Sequence, residues 1–556
     1  MDLVQNYLAV FPDKEEYLLW ESEPIPFFMS PAIVKSRADR YSLVPNPLKP
    51  GTQTIRVYSA IANVGEKGFP LERAKELQDI YTDPTFVADP YGAGGVWQRS
   101  KDTKTFSVSA ITKLSMLGLL KFSTLDPMGM GVEMEGGKPG WNDAMNGLPG
   151  LVGSGMAETY EMLLILKYVS SAVGRYNRGI SYPAEFAEFL TGLDIALSVY
   201  NNSPKNKEAE FKFWEASNVA REKYRADVVV AFSGLTVELP ATYLKRVLGE
   251  MEAKTNAGIE RALATTDGLS PSYFYYECTD YGTTEVKTPT EVVSKVFCKE
   301  FSTHTLPQFL EGPIRHMKVI GTKVEREDIF QRTKASGMYD SALQMYKLSE
   351  SLEDMGQDVG RTKAFTPGWL ENQSVWLHMS YKLYLELLRG GLYTEFYKEI
   401  STGLVPFMDN KVYGRSPLEA ASFIVSSAFP DKKLHGASFL ARLSGSTAEM
   451  MSMWAIMMAG QTPFSVDLNG ALLLTLQPVL PGWLFTEEGT VTFTFLGEVK
   501  VTYHNPSKAD SWTLTPKSTT VVYKDRTSNT FTEGIIRGKV AESVRSLNVA
   551  TIDIYY

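Results

Sequence analysis

Three short segments carry residues whose types and spacing suit chemistry on a sugar. The first is Gly136-Gly-Lys-Pro-Gly-Trp-Asn-Asp-Ala-Met-Asn-Gly-Leu-Pro-Gly150, which sets one carboxylate, Asp143, beside one large aromatic, Trp141. Glycine lets a ligand approach the main chain closely, and proline stiffens what glycine loosens. A long loop of this composition between apolar segments is more often a binding loop than a connector. An aromatic face beside an acid offers a platform for a pyranose ring and a proton for a glycosidic oxygen. Trp141 is expected to exclude water from Asp143 and raise its pKa, and the plain alternative is a turn-capping Asp beside a core Trp. Glu133 and Glu135, just upstream, are the other candidate acids or bases.

The second segment, Ala441-Arg-Leu-Ser-Gly-Ser-Thr447, stands directly before an apolar helix. Backbone amides at a helix start, with hydroxyls and an arginine, form an anion site. The same pattern also serves as an ordinary helix cap. The third, Trp369-Leu-Glu-Asn-Gln-Ser-Val-Trp-Leu-His378, opens another helix, and its histidine reads either as a ligand contact or as a hydrogen-bonded core residue.

The elements that must position these segments are mainly helical from about residue 70 to 460. Apolar residues recur with helical period over 158–174, 183–200, 207–232, 241–264, 328–355, 373–389, 393–408, 417–429 and 446–458. Ser154 and the Ser446-Thr447 pair stand where helix caps belong, and the joints are rich in Gly, Pro, Asn and Asp. Between Ser270 and Cys298 the pattern turns to short strands, Tyr273–Cys278 and 283–297. After Pro463 it becomes a strand series at 471–476, 490–495, 499–503, 512–514, 519–523 and 549–556. Many helices joined by long Gly-rich loops predict a bundle or toroid with its site in the loops at one end.

Composition narrows the classes. The chain of 556 residues is 44% hydrophobic and 22% charged, as in ordinary globular proteins, and 12% aromatic, which suits a large core or a carbohydrate cleft. A net charge of −8 and the lack of a long basic run argue against a broad nucleic-acid footprint. No apolar span is long enough for a bilayer, and the N-terminus lacks the pattern of a secretory signal, so no membrane partner and a cytoplasmic location are expected. Cys278 and Cys298 are expected to be buried free thiols, with no disulfide framework. The five histidines have no metal-ligand spacing, and neither a metal nor an organic cofactor is expected.

Taken together, the three segments resemble cellobiose phosphorylases and their relatives in glycoside hydrolase family 94. Trp141-Asn-Asp-Ala-Met-Asn146 is similar to that family's Trp-Asn-Asp-Gly-Met-Asn motif. Glu371-Asn372 followed by His378 resembles its Glu-Asn-Gly-Gly-x-Tyr-x-His segment, and Ser444-Gly445 with Met450 resembles its Thr-Gly-Thr-Ala-x-Trp-Met phosphate loop. The resemblance covers about residues 100–155 and 365–460, and 205–320 reads as an insertion. Thr124-Leu-Asp-Pro-Met-Gly-Met130 and His435-Gly436 are similar to a larger, divergent branch of oligosaccharide phosphorylase-like proteins. Leu370 stands where cellobiose phosphorylases have Lys, and Ser444 where they have Thr. The family's N-terminal β-sandwich and its sugar-binding Arg–Asp pair are not found, which predicts a fragment or one half of a split enzyme.

The resemblance implies a mainly α fold: an (α/α)6-barrel, incomplete at its N-terminus, over residues 1–463, then a C-terminal β-sandwich or jelly-roll-like domain over 464–556. It implies Asp143 as general acid, Trp141, Asn142 and Glu371 as sugar contacts, and His378, Arg442, Ser444 and Gly445 as phosphate contacts. The implied reaction is inverting phosphorolysis of a β-linked gluco-oligosaccharide, with inorganic phosphate as co-substrate and either a homodimer or a separate N-terminal subunit as the assembly. Two other readings are an inverting hydrolase or transglycosylase using Glu133 or Glu135 as base, and a non-catalytic carbohydrate-binding subunit.

Overall fold

The structure, a computed structural model, describes residues 1–46, 49–57, 61–66, 68–82, 97–135, 140–287, 292–441 and 444–556. It is 43% helix and 24% strand, a mixed α/β architecture of many helices and small sheets. The long helices form over the stretches of helical apolar period at 158–174, 183–200, 207–232 and 241–264. Met156–Tyr176 runs until Asn177 adopts a left-handed conformation, a usual helix stop. Lys207–Asp227 starts at Asn206, whose side chain accepts the Ala209 N–H.

Helix packing defines two helical cores. Met156–Tyr176 packs against Ala110–Phe122 and Ala241–Leu263, while Ala184–Asn201 packs against Lys207–Asp227. Farther along, Leu377–Arg389 packs against Tyr393–Gly403 and Ser444–Ala459. The short helix Glu311–Val319 touches both groups, lying against Met156–Tyr176 on one side and Leu377–Arg389 on the other. No helix among the described residues is long and apolar enough to cross a membrane.

Several elements differ from the sequence reading. The helix expected over 328–355 is Lys323–Ala335; past the Ser336-Gly337 turn the chain forms the small hairpin Tyr339–Asp340 and Met345–Tyr346. The helix expected over 417–429 is instead the strand Ala421–Ile424, the centre of a three-stranded sheet with Val375–Trp376 and Ser438–Ala441. Its apolar run is short enough to suit either state, and sheet pairing decides it. The two short strands expected after Ser270 are one long hairpin, Tyr273–Lys287 and Val292–Thr305.

That hairpin corrects the cysteine expectation. It brings the Cα atoms of Cys278 and Cys298 to 5.9 Å, within disulfide range, and the two are bonded rather than free.

The C-terminal strands form a five-stranded sheet and a three-stranded one, with their own apolar core around Val501, Val521 and Ile552. The helix Lys539–Arg545 and the parallel pairing of Val499–His504 with Val549–Tyr555 depart from an antiparallel jelly roll. The strand expected at 512–514 belongs to a single 3₁₀ turn, Ser511–Thr513.

Candidate active site

Two interlocked loops set the acid. Asp143 opens the 3₁₀ turn Asp143–Met145, and a second turn, Leu148–Leu151, follows at once. Gly147 donates its N–H to the Val359 carbonyl at 3.2 Å, and Arg361 donates its N–H to Asn146 Oδ1 at 3.1 Å. A Cβ on Gly147 would sit 1.7 Å from the Asp358 carbonyl oxygen, and one on Gly360 would sit 2.4 Å from that of Ala144. Only glycine allows the two backbones so close. From the second loop the Thr362 hydroxyl holds the Glu371 carbonyl at 2.9 Å, so the Asp143 and Glu371 segments are tied through one connection. Leu370 and Gln373 both take positive φ, 48° and 58°, unusual for non-glycine residues and a concentration of strain around Glu371. Leu370 also lends its carbonyl to the Trp376 indole N–H at 2.8 Å.

The three-stranded sheet sets the other wall. The edge strand Val375–Trp376 leads straight into the helix carrying His378, and the other edge, Ser438–Ala441, leads toward the helix Ser444–Ala459. Strand pairing on the shared centre strand therefore brings His378 and the start of the second helix together. Gly445 makes the contact: a Cβ there would lie 3.0 Å from His378 Cβ. Lys382, one turn beyond His378, pairs with Glu449 on the facing helix and locks the two together.

The result is one cavity of about 240 Å³ lined by Trp141, Asp143, Glu371, Trp376, His378, Ala421, Ser422, Gly445 and Ser446. Five of these were singled out in sequence from three segments spread over 305 positions, Trp141 to Gly445. Trp376, Ala421 and Ser422 were not, and Ser446 was read only as a helix cap. Ser422 is buried and its hydroxyl has no hydrogen-bond partner, which leaves a polar group at the cavity wall free for a ligand. The sequence carried no signal for it, because 417–429 reads as a helix and the strand Ala421–Ile424 forms only by pairing. The first amides of Ser444–Ala459 have no intrahelical acceptors and suit an anion. Arg442 and the side chain of Ser444 lie outside the described residues, as do Gly136–Pro139 of the first loop.

Electrostatics distinguish His378 from Asp143. Burial, then the positive charges of Lys382 and Arg315, push the His378 imidazole down to about 4. It is neutral at pH 7 and offers one N–H donor and one acceptor. Asp143, in contrast, is exposed, and its carboxylate accepts no hydrogen bond from the described residues.

Three expectations are corrected here. Trp141 does not shield Asp143 from water: its ring sits edge-on to His378, with centroids 4.7 Å apart, and its N–H donates to buried Glu311 at 2.5 Å. Asn142 is only 1% exposed, neither polar atom of its amide has a hydrogen-bond partner among the described residues, and it does not line the cavity. Neither proposed base is in the site. Glu133 accepts the Trp214 indole N–H and lies 3.8 Å from Arg37, and Glu135 lines a separate cavity with Lys121 and Arg221.

No family model matches the chain, and no curated protein does. Solved structures similar to it include an uncharacterized conserved protein from Thermus thermophilus, 9% identical, covering 54% of this chain and 77% of that one at a TM-score of 0.23. A likeness that faint carries no argument about fold or activity.

Proposed function

We propose that this chain is an inverting glycoside phosphorylase, cleaving a β-linked gluco-oligosaccharide with inorganic phosphate to release a sugar 1-phosphate. The observation that supports it most is the convergence of Asp143, Glu371, His378 and Gly445 on one cavity, whose lining includes an exposed acid and a neutral imidazole beside a helix start. In this reading Asp143 gives its proton to the glycosidic oxygen as the bond to the anomeric carbon breaks. A phosphate oxygen, held by His378, Ser422, Ser446 and the amides around Gly445, bonds to that carbon from the opposite face. Phosphate is already an anionic nucleophile, so one carboxyl group suffices, and the protein supplies position and charge complementarity. At about 240 Å³ the cavity takes only the reacting end of an oligosaccharide. The helical part is then the (α/α)6 scaffold of family 94. A cytoplasmic location belongs to the proposal on the chemistry alone, since phosphate is abundant there; the paired cysteines give it no support.

The test runs in the synthetic direction, with α-glucose 1-phosphate and a panel of β-linked glucosyl acceptors, reading phosphate release. Release with at least one acceptor is expected; none with any would overturn the proposal. Glu371 gives a second reading its footing, because it places another carboxyl group in the cavity with Asp143 and could serve an inverting hydrolase. Sugar release that proceeds at full rate without phosphate would favour that reading.

A further inference from the structure

The geometry points to Glu311 as a positioning residue that holds the Trp141 indole in the cavity wall, where it can meet a sugar, an inference that rests on the phosphorylase reading of that cavity. Glu311 is the first residue of the helix Glu311–Val319, within the stretch that has no counterpart in the resemblance to family 94. It is 4% exposed and does not line the cavity, so it acts on substrate only through its neighbours. Its Oε2 accepts the Trp141 N–H at 2.5 Å and lies 3.4 Å from the Tyr273 hydroxyl, while Oε1 is 3.7 Å from Arg315 Nε. Arg315 is anchored in turn by Glu161 at 2.7 Å.

The start of this helix is clamped. A Cβ on Gly312 would meet the Ser270 and Pro271 carbonyl oxygens at 2.5 and 2.7 Å. Ser272 Oγ accepts the Gly312 N–H at 2.8 Å and donates to the Phe309 carbonyl at 2.9 Å. A fixed helix start fixes the carboxylate, and the carboxylate fixes the indole. The indole edge rests on His378, and His378 abuts Gly445, so the line from Arg315 to the helix start at Ser444 is continuous. Removing Glu311 leaves an indole N–H buried without an acceptor, a situation relieved by rotating the ring. A rotated Trp141 no longer presents the face on which a sugar ring packs.

Two measurements test this, both on the full chain. In ¹⁵N-indole spectra the Trp141 N–H signal, assigned by its absence in W141F, is expected to move upfield in E311A and to stay near its wild-type position in E311Q, which keeps a carbonyl acceptor. Titration with the β-linked gluco-oligosaccharides and with inorganic phosphate is expected to show sugar binding about tenfold weaker in E311A, within about threefold of wild type in E311Q, and phosphate binding less affected than sugar binding in E311A. W141F removes the donor and replaces the indole by a smaller phenyl ring, so it should weaken sugar binding at least as much as E311A does, and the double variant should be no worse than W141F alone. If E311A fails to fold, E311D, which keeps the carboxylate but shortens its reach to the indole, carries the test with the same expected indole shift and loss of sugar affinity. An unmoved indole signal in E311A, unchanged sugar affinity in W141F, or equal loss of sugar and phosphate binding without rescue by Gln would each overturn the assignment. Wild-type chain that binds and turns over none of the sugars would overturn the phosphorylase reading itself, a result visible before any variant is made.

Discussion

Two loops of similar composition hold an aspartate each, and they use it in opposite ways. In Leu125-Asp-Pro-Met-Gly-Met-Gly131 the carboxylate of Asp126 is 1% exposed and fully occupied. It accepts N–H groups from Met128 at 3.0 Å, Met130 at 2.9 Å and Gly131 at 2.6 Å, and the Ser154 hydroxyl at 2.8 Å. Burial pushes its carboxyl up, and those bonds work against the shift. In Trp141-Asn-Asp-Ala-Met-Asn-Gly147 the carboxylate of Asp143 has no such partners and stands exposed at the cavity. The first loop satisfies its own acid and becomes structure. The second ties its turns to the Val359–Arg361 loop and leaves its acid free for a substrate. Gly, Pro, Met and Asp in a loop therefore do not mark a site; where the carboxylate's hydrogen bonds go does.

The largest effects should separate the two acids cleanly. D143N is expected to lower phosphorolysis by about a thousandfold through loss of the proton donor, with an unchanged unfolding midpoint. D126N should do the reverse. It sets an amide NH₂ against backbone donors in a buried site and should lower unfolding free energy by about 3 kcal/mol, with activity per folded molecule retained. Denaturant unfolding and steady-state rates on both variants decide it. Loss of activity in D126N without loss of stability would break the comparison.

Glycines next to the two acids give the second contrast. G147A drives a Cβ into the Asp358 carbonyl and shifts the loop that carries Asp143, so kcat should fall about a hundredfold from misplacement alone. G131A drives a Cβ to 2.5 Å from Ser154 Oγ beside Asp126, and should cost about 1–3 kcal/mol of stability with kcat little changed. Equal kcat losses in the two would mean that both loops support the site.

How much of this was readable from sequence follows the range of the interactions. The long helices were legible because their apolar period is local, and the Asp143, Glu371 and His378 segments because each is a compact motif. Ser422 was hidden, since Ala421–Ile424 is too short to announce a strand and becomes one only by pairing with Val375–Trp376 and Ser438–Ala441. Glu311 was hidden for a deeper reason: it meets Trp141 across 170 positions, with no pattern around either residue that names the other. Asn142 was misread because the motif says which residues are adjacent in sequence, not which of them faces inward. Sequence order likewise set Cys278 and Cys298 apart, and only the long hairpin brings them together.

A moderate effect tests the phosphate wall. S422A removes a hydroxyl that has no protein partner, so it should leave stability unchanged and raise the KM for phosphate about fivefold with the sugar KM unaltered. A stability loss instead would place Ser422 with Asp126, as a group the fold itself consumes.

The smallest effect asks the same question of two histidines. His316 and His378 are both pushed down to about 4, each mainly by burial. Both are neutral when folded at pH values where the unfolded chain, with an ordinary value near 6.5, already binds a proton. Each therefore contributes stability that is present above about 6.5 and lost as pH falls toward 4. They differ in surroundings: His316 stacks on Tyr160 inside the core, while His378 lines the cavity. A bound anion favours the charged imidazole, so it should raise the His378 value and leave His316 alone. Sulfate is a suitable stand-in for phosphate because it does not titrate in this range. Calorimetry at pH 5.5 in buffers of different ionisation enthalpy should show a fraction of a proton taken up on sulfate binding by wild type and by H316Q, and none by H378N. Proton uptake surviving in H378N would move the anion away from this imidazole, and with it the distinction between a histidine spent on the core and one kept for a ligand.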